Sequence, residues 1–292
     1  MFTALLNFYI SGILLGGNPT PVPTPSPKTV TVLSASAVPQ QNPRNIAPII
    51  RARSAIAVDL KTGMTLFEKK SDDHLPIASI TKLMTSIVIL ENHDINEVMM
   101  VSKKASQIEG SKAWLAPGEK ITVGNLLYAT LVHSANDAAY TLAENDSKSI
   151  SVFVNKMNQR AQDLGLFNTH FTNPIGLDEA ANYSSAYDLT VLGRYAYTKN
   201  FIRKASALKE LEIASTNGKT IHKLKSTNDL LGSYLKVLGL KTGTTDQAGQ
   251  CLVAIIENSK GNDILTVVLG SSSRYQETKV LADWVFRSFT WT

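Results

Sequence analysis

The chain has one cysteine, Cys251, among 292 residues. A lone thiol excludes an intramolecular disulfide and any zinc or iron–sulfur centre built on cysteines. The five histidines are scattered, with no HExxH and no close pair, so a zinc metalloprotease lacks its ligands and no metal is expected. Clustered basic residues are missing too. The net charge is +5, but no Lys/Arg block marks a nucleic-acid face, and no nucleic-acid partner is expected. Mild basicity suits an anionic surface such as a cell-wall polymer or membrane. No apolar run reaches the roughly 20 residues that a membrane span requires. Disorder throughout is excluded as well, because 43% of the residues are hydrophobic and only 18% are charged.

Proline and acidic residues divide the chain. Eight of the 11 prolines precede residue 49, and no acidic residue does. Residues 2–15, FTALLNFYISGILL, are uncharged and mostly apolar. They are short for a span but fit the apolar part of a secretory signal, although the usual positive residues before it are absent. Residues 1–15 are therefore read as a signal peptide or N-terminal anchor. Residues 16–48, with alternating Pro19, Pro21, Pro23, Pro25 and Pro27, are read as an extended spacer. Ala35-Ser36-Ala37 resembles a signal-peptidase site but lies far from the apolar stretch, and reads as ordinary spacer. Residues 49–292 form the globular domain.

Within that domain the periodicity predicts strands at both ends and helices between. Ser54–Leu60 and Met64–Phe67 flank a turn at Lys61-Thr62-Gly63, and Cys251–Glu257 and Ile264–Leu269 form a hairpin. Ile80, Leu83, Met84, Ile87, Val88 and Leu90 recur at helical spacing around most of a circumference, which predicts a buried helix. Residues 102–165 read as mainly helical, including an uninterrupted VGNLLYATLVHSANDAAYTLAEN, and so do 187–207. Ile213–Leu224 reads as strands around Asn217-Gly218, and Tyr275–Phe289 as an amphipathic helix. The fold class is α+β: an antiparallel sheet made by the terminal segments, flanked by helices, with a helical insertion.

Three short motifs carry chemistry. In Ser79-Ile80-Thr81-Lys82, a lysine one turn after a serine shares its helix face. A lysine in an apolar helix is driven toward the neutral amine, which can serve as base for an otherwise poor hydroxyl nucleophile. A helix start adds free amide donors for a developing oxyanion. Ser134-Ala135-Asn136 offers a hydroxyl for proton relay and a carboxamide for a substrate amide. In Lys241-Thr242-Gly243-Thr244 a strand-edge lysine offers a fixed positive charge, the threonines offer hydroxyls, and Gly243 admits a substrate backbone. Each motif alone is commonplace; SxxK most often marks a capping serine and a solvated lysine.

All three together, in this order, resemble the signature of penicillin-binding proteins and class A β-lactamases. Over residues 51–290 the chain resembles the serine D-Ala-D-Ala carboxypeptidases, the low-molecular-weight penicillin-binding proteins. The likeness extends through PIASITKLMT (76–85), SANDAA (134–139), TNPIGLD (172–178), YSSAYDL (183–189) and LKTGTT (240–245). It implies a β-lactamase/transpeptidase-like fold, no cofactor, and a peptidoglycan stem peptide ending in D-Ala-D-Ala as substrate. β-Lactams are then covalent inhibitors, and the protein works outside the cytoplasmic membrane, in periplasm or wall, with membrane association, if any, through the N-terminus. Catalytic residues are Ser79, Lys82 and Ser134. Substrate-binding residues are Asn136, Lys241, Thr242, Gly243 and Thr244, with the amides of Ser79 and Thr244 as oxyanion hole. The alternatives are a DD-endopeptidase, a β-lactamase or an inactive wall-binding module. Against the β-lactamase stands the lack of an ExxLN-type segment after the second motif: between Asn136 and residue 208 the only glutamates, Glu144 and Glu179, begin none.

Overall fold

The computed structural model describes residues 38–291. The readings of 1–15 as a signal or anchor and of 16–37 as spacer lie outside those residues. Pro39–Gln41 forms a short strand, β1. Next, β2 (Ser54–Asp59) and β3 (Thr65–Lys69) make a hairpin whose turn is held by Asp59, which accepts from the Thr62 amide at 2.7 Å. A 3-10 turn, Ala78–Thr81, leads directly into α1 (Lys82–Asn92). The insertion continues with β4 (Val98–Met100), α2 (Lys103–Gln107), β5 (Lys120–Thr122), α3 (Val123–Val132), α4 (Asn136–Ser147) and α5 (Ile150–Asp163). It ends with α6 (Ala186–Thr198), α7 (Asn200–Ser206) and the hairpin β6 (Glu210–Ala214)–β7 (Ile221–Lys225). The chain returns to the sheet as β8 (Lys236–Thr245), β9 (Gly249–Glu257) and β10 (Asp263–Ser271), then closes with α8 (Arg274–Ser288) and β11 (Phe289–Trp291).

The main sheet is antiparallel, in the order β3-β2-β10-β9-β8. Its central strands are apolar along most of their length and buried on both sides, because both faces are covered. In β2, Ile56 and Val58 face the helical layer with Leu83, Ile87 and Leu192, while Ala55 and Ala57 face α8 with Leu281, Trp284 and Val285. Each fully buried Val, Leu or Ile among them contributes about 1.5–3 kcal/mol. The α8 residues Thr278, Leu281, Ala282, Trp284, Val285 and Ser288, three or four apart, form the stripe laid on the sheet. Most of α1 is buried, as its all-round apolar pattern predicts.

Four readings require correction. Pro39–Gln41 pairs with Phe289–Trp291, so the packed domain begins about ten residues before the boundary placed at 48/49. β11, which follows α8 outside the main sheet, has β1 as its partner strand. The long helix expected through Ser134 is two helices, broken at 133–135 with Ser134 at φ 60°. β5, at 120–122 and paired to β4 just ahead of residue 102, interrupts the stretch at 102–165 read as mainly helical. Ser79 lies in the 3-10 turn before α1, not within an α-helix.

Candidate active site

The three motifs meet where β8, the edge strand of the sheet, touches the 3-10 turn that opens α1. Ala78 takes a left-handed φ of 49°, which turns Ser79 out of the apolar run that precedes it. Lys82 is fully buried, and its Nζ donates to Ser79 Oγ at 2.7 Å and to the Ile175 carbonyl at 2.6 Å. Burial holds the Lys82 amine well below the usual lysine range, and the nearby Lys241 charge lowers it further, against a smaller opposing pull from Asp137. A neutral amine in contact with a hydroxyl is a proton acceptor already in place.

The loop over Lys82 is built by Asn173. Its Oδ1 accepts the amides of Ile175, Gly176 and Leu177, and the Thr85 hydroxyl ties the Pro174 carbonyl to α1 at 2.6 Å. Gly176, at φ 83°, lies so close to Ala78 that a Cβ would fall 2.0 Å from its carbonyl oxygen, so only glycine fits.

The second motif sits in the break between α3 and α4. Asp137, wholly buried, accepts the amides of Ala113, Leu115 and Ala138 at 2.9–3.1 Å and straps the 109–115 loop to the turn. Those bonds, with the left-handed Ser134, are the reason the helix breaks. Asn136 Nδ2 donates to the Glu109 carbonyl at 2.6 Å. Ser134 is buried, and among the described residues its hydroxyl has no hydrogen-bond partner; the structure does not bond it to Lys82 or Ser79.

The third motif runs along β8. A Cβ on Gly243 would meet the Ile77 carbonyl at 2.8 Å and the Ser79 amide at 3.0 Å, so strand and nucleophile turn are in contact. Thr242 Oγ1 is 2.5 Å from Thr227 Oγ1, and the exposed Thr244 donates its hydroxyl to the Gly243 carbonyl at 2.8 Å. Lys241 departs from the expected fixed charge. Burial, and secondarily Arg274, bring its pKa down to about 7, so it is only partly protonated near neutrality. Arg274, which the sequence reading missed, places a guanidinium at the motif: it donates to the Gly243 carbonyl at 2.8 Å and to the Thr244 hydroxyl. It opens α8, 30 residues after the motif, and no local pattern marks it. Asp178, at the end of TNPIGLD, accepts from Thr245 Oγ1 at 2.6 Å and closes the end of the strand. Among the described residues no group of three or more His, Cys, Asp or Glu could hold a metal, and no helix is long and apolar enough to cross a membrane.

A five-stranded antiparallel sheet between helical layers, with Lys-Thr-Gly on its edge strand against a Ser–Lys pair, defines the penicillin-binding and β-lactamase fold. Residues 40–273 match the peptidase S11 family, D-alanyl-D-alanine carboxypeptidase. The D-alanyl-D-alanine carboxypeptidase DacF of Bacillus subtilis is 38% identical over 248 residues, 82% of this chain and 63% of that protein. The D-alanyl-D-alanine carboxypeptidase of Streptomyces sp. K15 is 34% identical over 242 residues, 77% of this chain and 83% of that protein. The crystal structure of the Streptomyces K15 DD-transpeptidase superposes with a TM-score of 0.78 at 32% identity, covering 83% of this chain and 99% of that one. The chain belongs to the peptidase S11 family. It spans a little under two thirds of the length of the Bacillus relative.

Proposed function

We propose that the protein is a serine-type D-Ala-D-Ala carboxypeptidase that removes the terminal D-alanine from peptidoglycan stem peptides through an acyl-enzyme. The observation that carries this reading is the 2.7 Å contact between the buried Lys82 amine and the Ser79 hydroxyl. Ser79 Oγ attacks the carbonyl carbon between the two D-alanines while its proton passes to Lys82 Nζ. The amides of Ser79 and Thr244 receive the oxyanion; the closeness of Gly243 to the Ser79 amide supports that pairing. On collapse of the tetrahedral intermediate the C–N bond breaks. The leaving amine takes a proton from Ser134, whose hydroxyl is uncommitted, with Lys241 resupplying it. Asn136 orients the substrate amide. Lys241, Thr242 and Thr244 surround the terminal carboxylate, and Arg274 contributes the charge there. Water then attacks the ester and gives a proton to Lys241, which had lost one, while protonated Lys82 returns its proton to Ser79 Oγ as the ester C–O bond breaks, so that serine and both lysines regain their starting states.

The same serine accepts a β-lactam, whose ring opening leaves no departing group to make room for water. Slow deacylation is favoured by the lack of an ExxLN-type segment after the second motif; Glu179, one of the two glutamates there, accepts from Asn173 Nδ2 at 3.0 Å. This argues against the β-lactamase reading. Relatives named D-alanyl-D-alanine endopeptidase, such as that of Pseudomonas aeruginosa at 32% identity over 237 residues, keep the cross-link-cutting reading as the second one. Export across the cytoplasmic membrane, directed by residues 2–15, and work at the wall belong to the same proposal.

The test is D-alanine release from a stem pentapeptide compared with cleavage of a cross-linked peptide dimer. Faster turnover of the pentapeptide is expected. Preferential cleavage of the dimer makes it an endopeptidase, and no turnover of either, with no penicillin labelling, leaves an inactive wall-binding module.

A further inference from the structure

His222, on β7, is a buried titratable side chain that the reaction above does not use. Its ring lies between two acceptors. Nδ1 is 2.9 Å from the Ala113 carbonyl oxygen, and Nε2 is 2.8 Å from Glu119 Oε1. A carbonyl oxygen only accepts, so Nδ1 carries a hydrogen and donates it. The other Glu119 oxygen accepts the Ala116 amide at 2.9 Å. One imidazole therefore holds both ends of the 113–119 arch against the β6–β7 hairpin.

The arch is continuous with the segment on which Asn136 rests. The Asn136 amide donates to the Ser111 carbonyl at 2.7 Å, and its Nδ2 donates to the Glu109 carbonyl at 2.6 Å. Ala113 is gripped on both sides of its Cα, since its amide donates to Asp137 and its carbonyl accepts from His222. The next residue, Trp114, stands at φ 61° with 79% of its surface exposed. A bulky residue keeps a left-handed conformation only where its surroundings over-determine it. The carbonyl that His222 holds belongs to the Ala113–Trp114 peptide, the plane whose rotation sets that φ. Without the bond this peptide is free to turn toward an unstrained φ, and the shift passes back along the chain to the carbonyls that fix Asn136.

Resting on the acyl-transfer reading above, we propose that His222 is a positioning residue for substrate binding: through the Ala113 carbonyl it locks the 109–115 loop in the conformation that aims the Asn136 carboxamide at the substrate amide. His222 itself touches no reacting atom. Loss of the bond to Ala113 should lower kcat/KM about tenfold, the scale of a displacement somewhat under 1 Å at such a contact.

The experiment measures kcat/KM of the full chain for D-alanine release from a stem pentapeptide, well below the melt recorded for each sample. Two substitutions separate the two bonds of the ring. In His222→Asn the new amide nitrogen falls near the place of Nδ1 and keeps the bond to Ala113. In His222→Gln it falls near Nε2 and keeps the bond to Glu119. His222→Gln should lose about tenfold, while His222→Asn should stay within about threefold of the unsubstituted protein, whichever of the two melts lower. Asn136→Ala should lower kcat/KM by itself, and adding His222→Gln to it should cost nothing more, because both act through one contact. A loss that follows Tm instead of the retained bond, an equal further loss in the Asn136→Ala background, or no loss in His222→Gln overturns the proposal. An unsubstituted protein that neither releases D-alanine nor takes up penicillin overturns the acyl-transfer reading and this inference with it. One that does both, with the two His222 variants alike, overturns the role of His222 alone.

Discussion

Replacing Gly243 by alanine adds one carbon where β8 touches the nucleophile turn. That carbon would sit 2.8 Å from the Ile77 carbonyl oxygen, 3.0 Å from the Ala78 Cβ and 3.0 Å from the Ser79 amide nitrogen. Two of the three neighbours are backbone and cannot rotate away. Ordinary contact needs about half an ångström more, so strand and turn must separate by that much; overpacking of this kind costs about 1–3 kcal/mol. At about 2–4 °C per kcal/mol for a domain of this size, Tm falls by several degrees. The chemical effect is larger. A displacement of about 1 Å in a reacting pair can cost on the order of 10²-fold, so half of it should cost roughly tenfold. The second-order rate of labelling by fluorescent penicillin measures this, with a thermal melt on the same sample. Gly243→Ala with unchanged labelling rate would refute the contact between the Lys-Thr-Gly strand and Ser79 on which the oxyanion argument depends.

Other perturbations follow from the same geometry. Lys82→Arg should reduce acylation by at least 10²-fold with little change in circular dichroism, because a guanidinium stays protonated. For the unsubstituted protein the sign of the pH dependence is fixed by the two lysines. Neutral Lys82 is lost as pH falls through its lowered pKa, and protonated Lys241 is lost as pH rises through about 7. Turnover should therefore be bell-shaped, and a rate that climbs without limit into alkali contradicts the assignment. Asp137→Ala strips the acceptor from three buried amides. At roughly 1–3 kcal/mol for each unpaired donor it should lower Tm by 5 °C or more, and an unchanged Tm refutes the strap. Truncation before Val38 should leave the melt intact, while truncation before Ile49 removes β1 and lowers it; equal Tm values would show that the β1–β11 pairing contributes nothing.

Much of this arrangement was legible in residue order. The apolar circumference of α1 placed Lys82 in a buried setting, and the spacing of three put it against Ser79. The double-sided apolar strands β9 and β10 announced a sheet covered on both faces. The break at Ser134 was not legible, because it comes from Asp137 capturing amides more than 20 residues earlier in the chain, and helical propensity through 123–145 gives no sign of that. Arg274 was illegible for the same kind of reason: its role arises from where α8 starts beside β8. The charge of Lys241 was misjudged because a strand edge reads as solvated, whereas the packed helical layer buries this side chain to 1% exposure. β1 was hidden by Pro39, a residue that suits both a spacer and an edge strand.

Intact-protein and peptide mass spectrometry after incubation with benzylpenicillin tests the central claim, that Ser79 activated by Lys82 is the acylated nucleophile. The protein should gain one whole penicillin mass, located on the peptide containing Ser79 and persisting for many minutes, and Ser79→Ala should gain none. A label on any other residue, a label retained in Ser79→Ala, or no adduct on a folded protein would contradict the account.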